Sequence, residues 1–521
     1  LWARNVFGID SEDMESAAVA QVSRSFGVPF VPVRIISNSE LLGAEFQVET
    51  GAVCARFVLR FLEAFVGAPG SSAPSFSAKF EEIKRQATPV ELYAFLYDLP
   101  KGGDLHNHLG GSGLAETWFR LATDKARNGG REYFTRLRIN NCGTCPAPLI
   151  YFHTIQEATW KALPPCCRSE YEPMSQLSPE QKQAWMSSVK LDRPQEGRHE
   201  FFEVIWSRLN DLLRDATVIS ELMVENMKLF GREGVRYIEW QLGPFLRTEG
   251  SKTLEPDELS RLFRARLEKP DAKETGVEVR LLANVLRFAP DAEQRIEEAY
   301  AFVDGHRDLW VGINLVGRED NDKGYPLRFL KTFRRMRRRY SNIGLAIHGG
   351  EVDEPNRHVR DTLLLGATRI GHGLNLVTDP ETLLLMRGGR YLVEHSLVSN
   401  QLLEYTPDLD EHPFPEYLRL GIPVSLATDD RGMWDSNLTD EYFSAVGHFN
   451  LSWEELVQIG RNSLEFAFLD AETKAQLMAS YESDVAAFEK KYAGGDWREL
   501  LTGVGPAVSG YAERSFGIER N

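Results

Sequence analysis

Eight short apolar or β-branched runs, each separated from the next by a helix-like stretch, constrain this 521-residue chain more than any other feature. They are Gly103–Leu109, Val235–Leu242, Val277–Val285, Trp310–Val316, Ile343–His348, Thr368–Gly373, Tyr391–His395 and Pro423–Ala427. Strands that alternate with helices pair in parallel through crossovers. Eight such units predict an α/β chain closed into a (β/α)8 barrel, with a doubly wound open sheet as the alternative. A barrel of this kind takes about 250–400 residues, so the length leaves room for additions.

Composition places those additions. Residues 1–68 read as helix, strand, helix, and residues 69–77 fall in a Pro/Gly/Ser-rich stretch with the character of a linker. The barrel domain is expected over 78–495, with an insertion at about 120–200 folding over its mouth. The Gly-rich end, 496–521, reads as a loose tail. Hydrophobic residues at 42% and charged residues at 26% exclude collagen, coiled coil and wholesale disorder. No apolar run reaches 18 residues, so no membrane-spanning helix is expected. A net charge of −16 argues against nucleic acid or an anionic membrane as a general partner. The chain begins with Leu1, so the lack of a legible targeting segment carries little weight. The cytoplasm is the expected compartment, with secretion left open. Cys142, Cys145, Cys166 and Cys167 cluster in the insertion. They suit a structural zinc, one or two disulfides, or reduced thiols in a loop.

Four segments at strand ends carry the chemistry. In Asp104-Leu-His106-Asn-His108 the two imidazoles are two residues apart, so a strand turns both to one face, where they can grip one metal. His348-Gly-Gly-Glu351 supplies a third imidazole, and its two glycines let the chain turn Glu351 back beside it. The plain alternative for Glu351 is a helix cap. In Arg369-Ile-Gly-His372-Gly an imidazole lies between glycines, suited to a base or to a partner for developing negative charge; a turn histidine is the alternative. Asp429 and Asp430 end an apolar strand as adjacent carboxylates, which repel unless a cation or a proton is shared. Three histidines and a carboxylate form a set for zinc or a similar divalent ion with a position left for water.

With these segments together, residues 90–480 resemble the adenosine/AMP deaminase family. The motifs are Pro100-Lys-Gly, Leu105-His-Asn-His108-Leu, Asn314-Leu-Val-Gly317, His348-Gly-Gly-Glu351, Arg369-Ile-Gly-His372-Gly, Ser399-Asn400 and Thr428-Asp429-Asp430. Leu315-Val-Gly-Arg-Glu-Asp320, Val398-Ser-Asn-Gln-Leu402 and the long insertion are most similar to the adenosine deaminase growth factor branch. The resemblance implies a TIM barrel of the metal-dependent hydrolase type with one Zn2+ per chain, held by His106, His108, His348 and Asp429. It implies that Glu351 protonates purine N1 and that His372 deprotonates or orients the attacking water and stabilises developing charge. Asp430 would orient that water and meet N7, and the Gly317 N–H would meet N3. A homodimer is expected on the same ground.

Two departures bear on the substrate. Relatives often carry a carboxylate or amide two positions after the second histidine, where it meets the ribose; here Gly110 and Gly111 follow. That predicts room and a lost negative charge near the ribose 5′ end. Glu394-His-Ser-Leu-Val-Ser399 lacks a Cys-Pro found in relatives, which would reshape the pocket. The expected reaction is conversion of adenosine or 2′-deoxyadenosine to inosine or its deoxy form plus ammonia. The alternatives are a 5′- or N6-modified adenine nucleoside or nucleotide (AMP, methylthioadenosine, S-adenosylhomocysteine), or a growth-factor-like binding protein with secondary catalysis.

Residues 1–68 resemble the C-terminal part of methylthioadenosine nucleosidase and purine nucleoside phosphorylases. Met14 and Glu15 match a ribose-binding pair, but Asn38 stands where a catalytic Asp is expected. An amide cannot protonate a purine, so this segment is expected to be inactive. Trp206 is a candidate for the pocket wall, with packing as the alternative. Five arginines within 333–340 read as the solvated face of an outer helix. Asn437 and Asn450 fit the glycosylation sequon, a triplet common by chance.

Overall fold

The computed structural model describes residues 76–520 apart from 248–251 and 321–322. The nucleosidase-like segment, with Met14, Glu15 and Asn38, lies outside the described residues, as does most of the linker. The eight strands are β1 (Gly102–His108), β2 (Val235–Leu242), β3 (Glu278–Leu286), β4 (Trp310–Val316), β5 (Gly344–Gly349), β6 (Arg369–His372), β7 (Leu392–His395) and β8 (Val424–Leu426). All pair in parallel, in sequence order from β1 to β8. Every sequence-derived strand is present, with its ends within one residue. β8 returns to β1 at a parallel bridge between Asn107 and Asp429. There His108 N donates to Asp429 O at 3.0 Å and Asp429 N to His106 O at 2.9 Å. The bridge closes the barrel and excludes the open-sheet alternative.

Barrel strands are covered on both faces, which is why most of them read as apolar runs without alternation. β1 is the exception. Its Asp104 is buried and accepts from Thr428 N at 3.1 Å, Thr428 Oγ1 at 2.7 Å and His106 N at 3.2 Å. These bonds satisfy a carboxylate inside the barrel and lock the two edges of the seam together. Lys101, just before β1, is also buried. Its Nζ donates to the carbonyls of Leu96, Tyr97, Leu99 and Glu233 at 2.5–3.2 Å. It thereby caps the C-terminal end of the helix Pro89–Asp98, where a positive charge is favoured.

Helices separate the strands, and those following β8, including Trp453–Glu465, pack beneath β1 and β8. The arginine-rich helix Leu330–Arg339 buries Thr332, Phe333 and Met336 and exposes its arginines, as expected for an outer helix. The insertion forms a three-stranded antiparallel sheet from Tyr133–Arg136, Thr154–Gln156 and Tyr171–Pro173. Phe134, Ile155 and Tyr171 form its own small buried cluster. Disulfides Cys142–Cys166 and Cys145–Cys167 close loops of 24 and 22 residues. Cross-links of that span are worth about 3 kcal/mol each in the chain-entropy model. Of the three states open to these cysteines, paired sulfurs are the one present, which leaves no thiolates for a metal.

One sequence expectation is corrected. The C-terminal stretch is not loose. Trp497, Tyr511, Ala512 and Ile518 are buried, and Tyr511 N donates to Asp435 O at 2.8 Å. Arg520 pairs with Asp435 at 2.8 Å. Gly content suggested a tail because composition does not register the aromatic and charged residues spaced between the glycines. Asn437 is buried and caps the helix Leu438–Phe449, so its sequon is inaccessible.

Candidate active site

The strand ends at the closed seam bring four ligand atoms together. His106 Nε2 lies 3.1 Å from His348 Nε2, and His108 Nε2 lies 3.3 Å from His348 Nε2. Asp429 Oδ1 is 3.7 Å from His106 Nε2 and 3.3 Å from His108 Nε2. Neighbouring side chains settle which nitrogens carry protons. His106 Nδ1–H donates to Glu394 Oε2 at 2.8 Å, and His348 Nδ1–H donates to Asn314 Oδ1 at 2.9 Å. Their Nε2 atoms therefore present bare lone pairs to one another. Lone pairs and a carboxylate at this spacing repel unless a cation sits among them. The separations match the edges of a coordination shell whose radius is about 2.0–2.2 Å, that of a zinc site with nitrogen and oxygen ligands. Burial pushes His108 down to about 4, so it too is neutral and able to ligate.

The support behind these ligands was not named from the sequence. Glu394 is buried and sits 2.6 Å from Arg369 Nε, and Arg369 also pairs with Glu239 at 2.8 Å. This fixes the ring plane of His106 and raises its basicity, as carboxylates behind metal-binding imidazoles do. The signal for it was one charged residue in each of two strands, Arg369 at the start of β6 and Glu394 within β7. A Glu394→Gln protein is expected to bind zinc about 10–100-fold more weakly. Competition against a chromophoric chelator measures this, and unchanged affinity would remove Glu394 from the site.

Glu351 follows the turn at Gly350 (φ +82), as the two glycines suggested. It is buried, and its carboxyl is held well above the usual range by burial first, then by the Asp429 and Glu319 charges. Its position is set by Glu319, which accepts from Gly350 N and Glu351 N at 3.2 Å each. Glu319 stays ionised, pushed down to about 2: burial opposes this, but Arg287, 3.0 Å away, and His358, at 2.6 Å, outweigh it.

His372 ends β6 in the left-handed region (φ +63), as does Asp429 (φ +52) after β8. Such backbone costs about 1–3 kcal/mol for residues other than glycine, and it concentrates where function demands it. Burial pushes the His372 imidazole down to about 3, so it is neutral. A relay fixes its tautomer. The backbone N–H of Phe414 donates to His412 Nδ1 at 3.1 Å, leaving His412 Nε2–H to donate to Asn400 Oδ1 at 3.1 Å. The Asn400 amide then donates to His372 Nδ1 at 3.1 Å. His372 Nε2–H is left facing Glu351, 3.7 Å from its Oε1, with no hydrogen-bond partner among the described residues. Asp430 is buried beside Asp429, and its Oδ1 likewise lacks a partner among the described residues. Burial and the Asp429 charge raise its carboxyl.

A cavity of about 410 Å³ opens over these groups. His108, Gly317, His348, Glu351, Asp429 and Asp430 line it, and Phe201, Phe202 and Trp206 from the end of the insertion form a wall. The insertion thus reaches the barrel mouth. Its segment Glu200–Ile205 winds as a wide π-type turn, a form frequent at functional sites.

The expectation of free space is corrected at Gly111. A Cβ on Gly110 would meet Leu213 at 2.8 Å and Trp206 at 3.3 Å, and one on Gly111 would meet Asp430 Oδ1 at 1.6 Å. Gly111 allows close packing that brings Asp430 to the site, and it opens no pocket. Gly110 lines a neighbouring chamber instead of the cavity over Glu351.

A family model described as Adenosine deaminase matches residues 174–483, more than half of the chain. The chain belongs to the adenosine deaminase family. These are hydrolytic, metal-dependent deaminases of adenine-containing substrates, and this chain is an enzyme of that kind. An adenosine deaminase of Enterococcus faecalis is 30% identical over 266 residues, which are 51% of this chain and 76% of that relative. Among solved structures, an amidohydrolase from Burkhoderia ambifaria with bound Zn aligns at a TM-score of 0.57 with 20% identity, over 78% of this chain and 96% of that one. The Arabidopsis N6-mAMP deaminase aligns at 0.55 with 23% identity, over 74% and 99%. At such identities the two structures speak for the barrel fold. A second model, described as Phosphorylase superfamily, matches residues 2–67. The family model for the deaminase begins after β1, so His106 and His108 lie outside it; the barrel seam is what joins them to His348 and Asp429.

Proposed function

We propose that this member of the deaminase family hydrolyses the exocyclic amine of a 6-aminopurine nucleoside, adenosine or 2′-deoxyadenosine, releasing ammonia. The observation that carries the reading is the convergence of three imidazole nitrogens and Asp429 Oδ1 beside a buried, proton-holding Glu351. His106, His108, His348 and Asp429 would hold one Zn2+, which supplies a water of pKa lowered toward 7 and polarises it as a Lewis acid.

The protein's own groups divide the remaining work. Glu351 donates its proton to purine N1, which draws electrons from C6. Asp430, whose buried carboxyl keeps one oxygen free of hydrogen bonds among the described residues, orients the attacking water. His372 acts as donor: its Nε2–H stabilises the oxygen as the C6–O bond forms, since the relay from Phe414 leaves no lone pair there. Of the water's two protons, one restores Glu351 and the other passes from the new C6 hydroxyl to N6; the C6–N6 bond then breaks, ammonia leaves, and adenine becomes hypoxanthine. Phe201, Phe202 and Trp206 exclude bulk water. The names of the relatives, adenosine deaminase and N6-mAMP deaminase, support an adenine base. A purely binding role is disfavoured, because every position the chemistry needs is filled.

The test is the ultraviolet change from adenine to hypoxanthine with zinc-loaded full-length protein. Adenosine, 2′-deoxyadenosine, AMP, methylthioadenosine, S-adenosylhomocysteine and an N6-methyl nucleoside form the panel. Turnover of one or more is expected. Silence across the panel with zinc bound would sink the reading.

A further inference from the structure

We propose that a second chamber beside the catalytic cavity is a subsite for an uncharged, apolar group on the substrate's 5′ carbon. The preferred substrate class would then be 5′-alkylthio adenine nucleosides. This rests on the deaminase reading above.

The chamber measures about 340 Å³ and adjoins the catalytic cavity. The two share His108, Trp206, Asn284, Leu286 and Val316 as lining. In a purine nucleoside, C6 and the sugar-bearing N9 lie at opposite ends of the ring system. With C6 against Glu351 and Asp430, the sugar is carried away from the acid cluster. The shared lining lies beside His108, at the rim of that cluster.

The chamber's walls are Leu213, Ile219, Leu242, Phe245, Leu246 and Val285, a surface suited to alkyl groups. The exception is Gln241, the register partner of His108 on β2. It is 1% exposed, and neither its amide nitrogen nor its amide oxygen has a hydrogen-bond partner among the described residues. A buried amide with both functions unused calls for a ligand group that donates and accepts at once, as a ribose hydroxyl does. Gln241 and Asn284 would then hold the sugar, and the 5′ group would lie beyond them among the apolar side chains.

The chamber is not built for phosphate. Its one cation among the described residues is Arg295, which is already paired with Asp291 at 2.9 Å. A phosphate needs several converging charged or N–H donors, and burying it without them is costly. Arg318 and Lys323 line the catalytic cavity and not the chamber, and Arg318 is committed to Asp320. They are where a 5′-phosphate would go if the proposal is wrong.

The experiment compares kcat/KM of the zinc-loaded full-length protein for adenosine, 5′-methylthioadenosine, 5′-butylthioadenosine and AMP. A filled apolar pocket discriminates by about 10–200-fold per methylene-sized group, so both thioethers should exceed adenosine by at least about tenfold. Ala299→Leu adds bulk to the chamber's lining from the helix Ala292–Gly305, and Gln241→Leu removes the amide. Ala299→Leu should cut kcat/KM for the butylthio compound at least about tenfold more than for adenosine. Gln241→Leu should raise KM for every nucleoside. The ratio between substrates within one variant is read, so partial misfolding does not imitate the result. Adenosine turnover with no thioether preference, or with AMP preferred, would overturn the subsite and leave the deaminase reading standing. No turnover of any member would overturn both.

Discussion

Replacing Glu351 by Gln is expected to lower kcat by about 10²–10⁴-fold while leaving the protein folded and able to bind zinc. Gln keeps the shape and the backbone bonds to Glu319, but it has no proton to give to a ring nitrogen. The carboxyl is raised well above its usual value by burial and by the Asp429 and Glu319 charges, so it remains protonated near neutrality. Activity that depends on this proton is retained at neutral pH and lost as the pH climbs through the raised value. The same shift has a stability consequence. The folded state holds the Glu351 proton more tightly than the unfolded chain, whose carboxyl titrates near about 4.3. Folding stability therefore declines as the pH rises from that value toward the raised one. Gln takes up no proton on folding, so this cost is absent and metal-free Glu351→Gln should have a higher Tm than the metal-free parent at neutral pH. Wild-type turnover by the Gln protein, with zinc content confirmed, would remove Glu351 from the chemistry.

Zinc removal should have the second large effect. Dialysis against a chelator is expected to abolish turnover, and stoichiometric Zn2+ should restore it. The protein should also lose stability, because the three Nε2 lone pairs and the Asp429 carboxylate are left facing one another. A ligand present at a hundred times its Kd stabilises the folded state by about 2.7 kcal/mol, which thermal unfolding with and without added zinc reads directly. Ligating imidazoles must be neutral, so zinc affinity should fall as the pH drops. An Asp429→Ala protein that kept full zinc affinity and turnover would show that the ion sits elsewhere.

Most of the catalytic set is legible in the amino-acid sequence. His106 and His108 are two apart on a strand, His348 ends another strand, and Asp429 and Asp430 end the last. Such patterns are local, and strand periodicity together with barrel topology places their ends on one rim. The supporting network is not legible, because its partners are far apart in sequence. Glu394 contacts His106 across 288 residues and Arg369 reaches Glu239 across 130. The tautomer of His372 depends on the backbone N–H of Phe414, which no motif encodes. The space expected at Gly111 is an error of the same origin: the missing side chain is visible in sequence, while Asp430, which fills the gap, is not.

Local patterns along the chain are enough to specify the barrel, its eight strands to within a residue, and the histidines and carboxylates that meet at the candidate site. These follow from short-range periodicity and from the chemistry of residue types. Three-dimensional packing was needed for the closure at Asn107 and Asp429, the pairing of the four cysteines, the order in the C-terminal stretch, the hydrogen-bond relay behind His372 and the apolar chamber around Gln241. Each of these depends on which side chains meet across the closed barrel. Contacts of that kind are set by packing among distant segments, and no local pattern in the chain carries them.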